Sequence, residues 1–259
     1  MYVYAAVGGV VGVSPADGKV LWSAPWNAEV VAASPVALDG DRVFCTAGYG
    51  AGGLMFRVTA KDGGFAAEVL DKHTAAEGFA CEQQTPIFWG GLLYGIMPKD
   101  AGALRGQFVC YRPDGTLVWS SGQANRYGLG PFILADGKFY VLSDDGTLTV
   151  LEANAEKFVE VGRAKVLDGQ DAWGPIAIAG TRMIVRDSKR MVCLEVGAER
   201  VAALDGGEGP RGPKGLKGQV GWQLAMGSPH PAPLPKERET VQRVVQLQYL
   251  YPVDVFLPL

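Results

Sequence analysis

The sequence predicts an all-β protein made of four-stranded antiparallel units repeated radially, a β-propeller, and three observations carry that expectation. A small residue followed by proline recurs at Ser34-Pro35, Thr85-Pro86, Gly130-Pro131 and Gly174-Pro175. The prolines stand 51, 45 and 44 residues apart (86 − 35, 131 − 86 and 175 − 131), and self-similarity at roughly 40–50 residues marks a propeller or a solenoid. After each proline come a few mostly apolar residues, a tight turn containing glycine and a second apolar run, as in GPFILADGKFYVL at residues 130–142.

The unit after Pro131 is the clearest. Its short runs are rich in Val, Ile, Phe and Tyr with a period near two, which argues for strands over helices. Strands are expected at residues 129–135, 138–142, 147–152 and 157–163. Asp136-Gly137 and Asp145-Gly146 join the first three as hairpins, because Asp-Gly supplies the positive φ values that tight turns demand. The same template makes residues 1–24 the second, third and fourth strands of a blade whose first strand is absent. Full units then run over residues 31–71, 83–121, 129–163 and 173–205. The longer early spacings are assigned to enlarged loops at residues 47–53 and 98–106. About four to five blades result, in one array over residues 1–205.

Residues 206–259 leave the pattern. Glycine falls at every third position from Gly209 to Gly218, in too few triplets for a collagen helix, and a proline-rich stretch follows at residues 228–235. This tail is expected to be disordered or not part of the fold. Tyr2 to Val7 lacks the basic start of a signal peptide and reads as a strand already inside a repeat, so upstream sequence is expected.

Composition excludes several function classes. With 24 Lys and Arg against 27 Asp and Glu, a net charge of −3 and no basic cluster, nucleic acid is not an expected partner. No apolar run approaches the roughly 20 residues of a membrane-spanning helix, so no transmembrane segment is expected. The four cysteines carry no Cys-x-x-Cys spacing. Cys110 and Cys193 occupy matching places in their repeats and should fill the same small apolar slot in different blades, too far apart to bridge. Cys45 ends an apolar run, and Cys81 lies in a loop where exposure is expected. With only His73 and His230, neither a two-histidine metal site nor a Ser-His-Asp relay can be assembled. No catalytic residue is assigned, and Asp144-Asp145-Gly146 reads as a hairpin turn, not a calcium loop.

The turn between third and fourth strands carries the sharpest local signature. Residues 14–22 read SPADGKVLW and residues 111–119 read YRPDGTLVW, with Trp22 and Trp119 each five residues after the aspartate of Asp-Gly (22 − 17 and 119 − 114). This resembles the repeat of the PQQ-like (pyrroloquinoline-quinone) β-propeller superfamily, which holds both quinoprotein dehydrogenases and a non-enzymatic, BamB-like branch. The resemblance covers about residues 2–204, and because family propellers commonly have eight blades it favours a fragment of a larger ring over a small closed ring or an open arc. It also implies that Trp22 and Trp119 are wedges between blades. Ala67, Val159 and Ala202 stand at the tryptophan position in the other units, and aspartate replaces the usual threonine before glycine. Those departures are closer to the non-enzymatic members.

Propeller topology sorts the loops. Connections from first to second and third to fourth strands share one face and are short here; the opposite face receives the second-to-third loops and the connections between blades. The interblade connections carry Asn27 and Glu29, Glu82 and Gln83 (with Gln84), Asn125, Arg126 and Tyr127, and Asp171 and Trp173. Expected to converge near the central channel, these are the candidate ligand or partner face. The resemblance implies a non-catalytic scaffold binding a protein or peptide partner in the bacterial cell envelope, periplasmic or extracellular, with no cofactor. Its enzymatic alternative is a PQQ- and calcium-dependent dehydrogenase, for which Glu82, Asn125 and Asp171 would supply oxygens, although the adjacent cysteine pair of many alcohol-oxidising members is missing. A third alternative is a sensor propeller of a larger membrane-anchored protein.

Overall fold

A computed structural model describes residues 1–196. Five antiparallel sheets follow one another along the chain, each a meander whose strand order is its sequence order. The first holds β1 (Tyr2–Ala6), β2 (Gly8–Val13) and β3 (Val20–Trp26). The second holds β4 (Val36–Ala37), β5 (Arg42–Ala47), β6 (Gly52–Lys61) and β7 (Gly64–His73). The third holds β8 (Ile87–Trp89), β9 (Leu92–Ile96), β10 (Phe108–Tyr111) and β11 (Leu117–Ser120). The fourth holds β12 (Phe132–Ala135), β13 (Lys138–Leu142), β14 (Thr147–Glu152) and β15 (Glu160–Lys165), and the fifth β16 (Ala177–Ala179), β17 (Arg182–Arg186) and β18 (Met191–Glu195). This is the blade succession of a β-propeller. The fourth strand expected in the fifth unit, with Ala202, and the boundary at residues 205/206 lie outside the described residues, as does His230.

Four apolar layers lie between successive sheets, and they explain the composition of the strands. Val43 and Cys45 of β5 pack toward Val3 and Trp22 of the first sheet, whereas Phe44 between them joins Leu93 and Val109 of the third. An inner blade therefore buries both faces, so β5, β9 and β10 read as nearly continuous apolar runs. The outermost described sheets bury one face: β1 and β17 alternate, with Tyr4 60% and Ile184 40% exposed. The tryptophans occupy the interblade layers. Trp22 is edge-on to Phe56 of the next sheet at 5.2 Å. Trp119 lies 6.0 Å from Phe158 and donates its indole N–H to the Asn154 carbonyl at 3.0 Å, both across the boundary to the fourth blade.

The Pro-anchored copies touch one another. The Ser34 amide donates to Thr85 Oγ1 at 2.9 Å, linking equivalent positions of two blades. Pro35, Pro86 and Pro131 are buried and immediately precede β4, β8 and β12, while Pro175 is exposed. Gly130 needs to be small for a steric reason: a Cβ there would lie 1.7 Å from the Leu142 carbonyl oxygen.

Several expectations are corrected. The fourth unit's first strand begins at Phe132, not at residue 129, because Leu129 gives its amide to Asp144 and not to a neighbouring strand. Its last strand begins at Glu160, since Asn154 Oδ1 accepts the amides of Glu156 and Lys157 and holds a turn there. The long second unit owes its length to the ten-residue strands β6 and β7 and not to a loop at 47–53, where only residues 48–51 separate the strands. The enlarged loop at 98–106 is present and contains a short 3₁₀ turn, Gly102–Leu104. Cys81 is 1% exposed, its Sγ filling the space where a Cβ on Gly95 would sit. Cys110 is buried but Cys193 is exposed, so the matching slots are not equivalent: β18 belongs to the outermost described sheet.

Candidate functional site

The second-to-third loops and the interblade connections meet most closely over the third and fourth blades. The connection 121–131 is clamped there onto the loop 97–107. Gln107 and Arg126 form an antiparallel bridge, and the Tyr127 amide donates to the Gly106 carbonyl at 2.6 Å. The Arg126 guanidinium donates to the Arg105 carbonyl and to Gln123 Oε1. Arg105 is exposed, and its guanidinium has no polar partner among the described residues.

Asp144, in the hairpin between β13 and β14, ties three segments together. Its Oδ1 accepts the Leu129 amide at 2.7 Å and the Trp173 indole N–H at 2.9 Å. Its backbone donates to the Tyr127 carbonyl at 3.2 Å and accepts from the Ala172 amide at 3.3 Å. Gly128 makes this possible: its φ is +64°, and a Cβ would lie 1.7 Å from Asp144 Oδ2. Burial raises the Asp144 carboxyl above the usual carboxylate range, opposed by the Leu129 and Trp173 donors and reinforced by the charges of Asp171 and Asp145. For Asp145 burial also acts upward, but hydrogen bonds from Ser143, Thr147 and Lys165 outweigh it and bring the carboxyl down to about 2.

These residues frame a cleft of about 390 Å³, lined by Arg105 and Arg126 together with Gly128, Ser143, Asp144 and Asp145. A smaller cavity of about 10 Å³ shares Gly128 as a wall and is otherwise lined by Glu82, Gln83, Gln84, Ile96, Leu129 and Gly130. The larger has the size of a ligand pocket; the smaller holds one water-sized group.

The sequence-predicted residues divide between this place and others. Glu82 and Gln83 line the small cavity, and Arg126 the cleft. Trp173 is 37% exposed and reaches the same region through Asp144, with its carbonyl accepting Gln84 Nε2 at 3.3 Å. Tyr127 borders the cleft, but it is 3% exposed and packs edge-on to Phe108 at 6.5 Å, so its side chain is a core group and not a partner contact. Asn125 holds its own turn, donating to the Ser121 carbonyl at 2.9 Å and accepting from Arg163 at 2.7 Å. Asp171, at φ +58°, lends its carbonyl to the Trp173 amide at 2.8 Å. Asn27 and Glu29 are exposed and line neither cavity.

Sequence reasoning passed over Arg105, Gly128 and Asp144. An available signal for Asp144 was its position in a second-to-third loop on the face already chosen. The oxygens put forward for calcium, Glu82, Asn125 and Asp171, are held in three separate local environments. Among the described residues no group of three or more His, Cys, Asp or Glu is placed to hold a metal ion.

Residues 1–98 match the family described as outer membrane protein assembly factor BamB. No curated protein sequence matches the chain. Among solved structures, the chain is similar to BamB from Moraxella catarrhalis, at 13% identity and a TM-score of 0.47 over 76% of this chain and 57% of that one. It is also similar to AztD from Citrobacter koseri, at 17% identity and a TM-score of 0.43 over 76% of this chain and 56% of that one. The computationally designed Ika4 protein matches at 13% identity and a TM-score of 0.43, over 70% of this chain and 99% of the design. The chain thus spans little more than half the length of the two natural proteins. The match covers residues 1–98, the described remainder continues the same antiparallel strand meander, and Trp119 repeats the interblade position of Trp22, which together support a PQQ-like β-propeller repeat architecture.

Proposed function

We propose that this chain is a non-catalytic propeller scaffold that binds an extended protein or peptide partner across its loop face, in the bacterial cell envelope. The observation that carries the reading is the cleft over the third and fourth blades. Its lining brings Arg105 and Arg126 together with Asp144 and Asp145 around Gly128. Charges of both signs around a glycine suit a polar extended chain better than a compact apolar ligand. The envelope setting and the protein partner rest on the family description, an outer membrane assembly factor.

The test is peptide binding at the cleft. Displayed extended peptides are selected on the full chain, and their affinities are then compared with those for a variant carrying Arg105→Ala and Asp145→Ala. Both residues are exposed, so the fold should survive, as circular dichroism will show. Affinity is expected to fall at least about tenfold, as for loss of two polar contacts of about 1 kcal/mol each. Unchanged affinity would remove the cleft from the reading.

A further inference from the structure

The three strands of the first sheet contain no charged residue, a composition that among the five described sheets is shared only with the third. The third sheet has a structural reason for it, being buried against the second blade on one face and against the fourth on the other. The first sheet buries only one face among the described residues, the face that carries Val3, Ala5, Val10, Trp22 and Ala24.

Strand alternation and register define the other face. Tyr4, Val11 and Ser23 form one row across β1, β2 and β3, and Ala6, Gly9 and Pro25 form the next, with Tyr2 opposite Val13 in the row before them. Tyr4 is 60% and Tyr2 38% exposed, and Ser23 and Pro25 are exposed as well. Aromatic and aliphatic groups thus stand in water with no charge among them, which marks an interaction surface. The last described sheet shows the contrast, since Arg182 and Arg186 flank Ile184 on the exposed face of β17, and Arg182 faces Glu195 at 4.0 Å.

Two properties point to what covers the first face. An uncharged face fits a second uncharged one, whereas packing it on the fifth sheet would take Arg186 out of water with no counter-charge on β1–β3 to receive it. The face is also graded along its strands, bulky at Tyr2 and Val13 and small at Ala6 and Gly9. A two-fold axis running across the strands reverses their direction, so the bulky end of one copy falls on the small end of the other and the Tyr4–Val11–Ser23 rows meet at the axis. The strands stay aligned, as face-packed sheets prefer.

We propose that the outer face of β1–β3 is a self-association surface whose occupant is the same face of a second copy of this chain, in a closed dimer. Three strands about 4.8 Å apart, each about 17 Å long, make a footprint of roughly 14 Å by 17 Å. That is small for a specific interface, so the dimer is weak and concentration-dependent. The cleft over the third and fourth blades takes no part in the contact.

Sedimentation equilibrium of the full chain, from about 1 to 300 µM, tests the proposal. The mass should rise from one chain toward two and stop there. Tyr4→Lys should weaken association at least about tenfold, because it sets like charges together at the axis. Ser23→Lys, in the same row, should do the same and decides the matter if circular dichroism shows that Y4K fails to fold. Ile184→Lys, on the exposed face of the fifth sheet, should leave association unchanged. A mass of one chain at every concentration would overturn the proposal and leave another segment or another protein as the cover. Weakened association in Ile184→Lys, or masses growing beyond two chains, would overturn it in favour of the first face packing on the fifth sheet of the next copy.

Discussion

Replacing Gly128 with alanine separates two terms that the structure makes distinct. Gly128 has φ +64°, so any L side chain meets the left-handed penalty of about 1–2 kcal/mol. Its Cβ would also fall 1.7 Å from Asp144 Oδ2, which forces the carboxylate away from the Leu129 amide and the Trp173 indole N–H. Hydrogen bonds to charged groups contribute about 1.5–3 kcal/mol each, and partial loss of two places the contact term near 2–4 kcal/mol. Gly137 is the control: its φ is +66°, and a Cβ there meets nothing within 4 Å. Alanine at either position restricts the unfolded chain equally, so that contribution cancels. Urea unfolding followed by circular dichroism should show Gly137→Ala lowering stability by about 1 kcal/mol and Gly128→Ala by about 3–5 kcal/mol, with similar m-values. Equal losses, within about 0.5 kcal/mol, would refute the claim that Gly128 exists to admit Asp144.

Two further outcomes are expected. Because the folded Asp145 carboxyl titrates at about 2 and an unfolded aspartate near 3.9, its contribution is complete above about pH 4 and is lost as pH falls toward about pH 2. Its side chain and that of Lys165 are 65% and 49% exposed, so screening keeps this contribution below about 1 kcal/mol. Asp145→Asn should therefore be slightly less stable than the parent at neutral pH and equal to it in acid, and a constant difference from neutral pH to acid would count against the assignment. Thiol labelling of the native chain should modify Cys193 quickly and leave Cys45, Cys81 and Cys110 untouched until unfolding, since burial raises those three thiols, Cys110 to about 11. Rapid labelling of a second cysteine would contradict the burial described for it.

The fold was legible in the sequence wherever local chemistry and repetition agreed. Asp136-Gly137 sits in the hairpin that its residue types demand, with φ values of +48° and +66°. The prolines before β4, β8 and β12 mark strand starts because proline fixes φ and lacks a donor. Strand ends were less legible, because they depend on partners distant in sequence: β12 starts late only because Asp144, fifteen residues on, takes the Leu129 amide. The length of the second unit was misassigned for a similar reason. Gly50 to Gly53 looks like a loop by composition, yet Gly52 and Gly53 belong to β6, opposite His73, which leaves no space for side chains there.

The site was legible as a face and not as a set of side chains. Arg126 and Tyr127 are adjacent in a connection that reads as polar, and one turns to solvent while the other enters the core between the third and fourth blades. Nothing local distinguishes them; Phe108 supplies the aromatic edge against which the tyrosine ring packs. Asp144 and Asp145 are adjacent too and have opposite electrostatics. Asp144 faces inward, where burial outweighs two donors and its carboxyl is raised, whereas Asp145 has three donors and a lysine, and its carboxyl is lowered. As pH falls, Asp144 takes up its proton before Asp145 does, so the acidic pair loses the inner charge first and keeps the outer one. Such a division follows from which residue the hairpin points toward Gly128. The scaffold repeats from blade to blade, while the character of the cleft is set by a few alternations of inward and outward along segments that do not repeat.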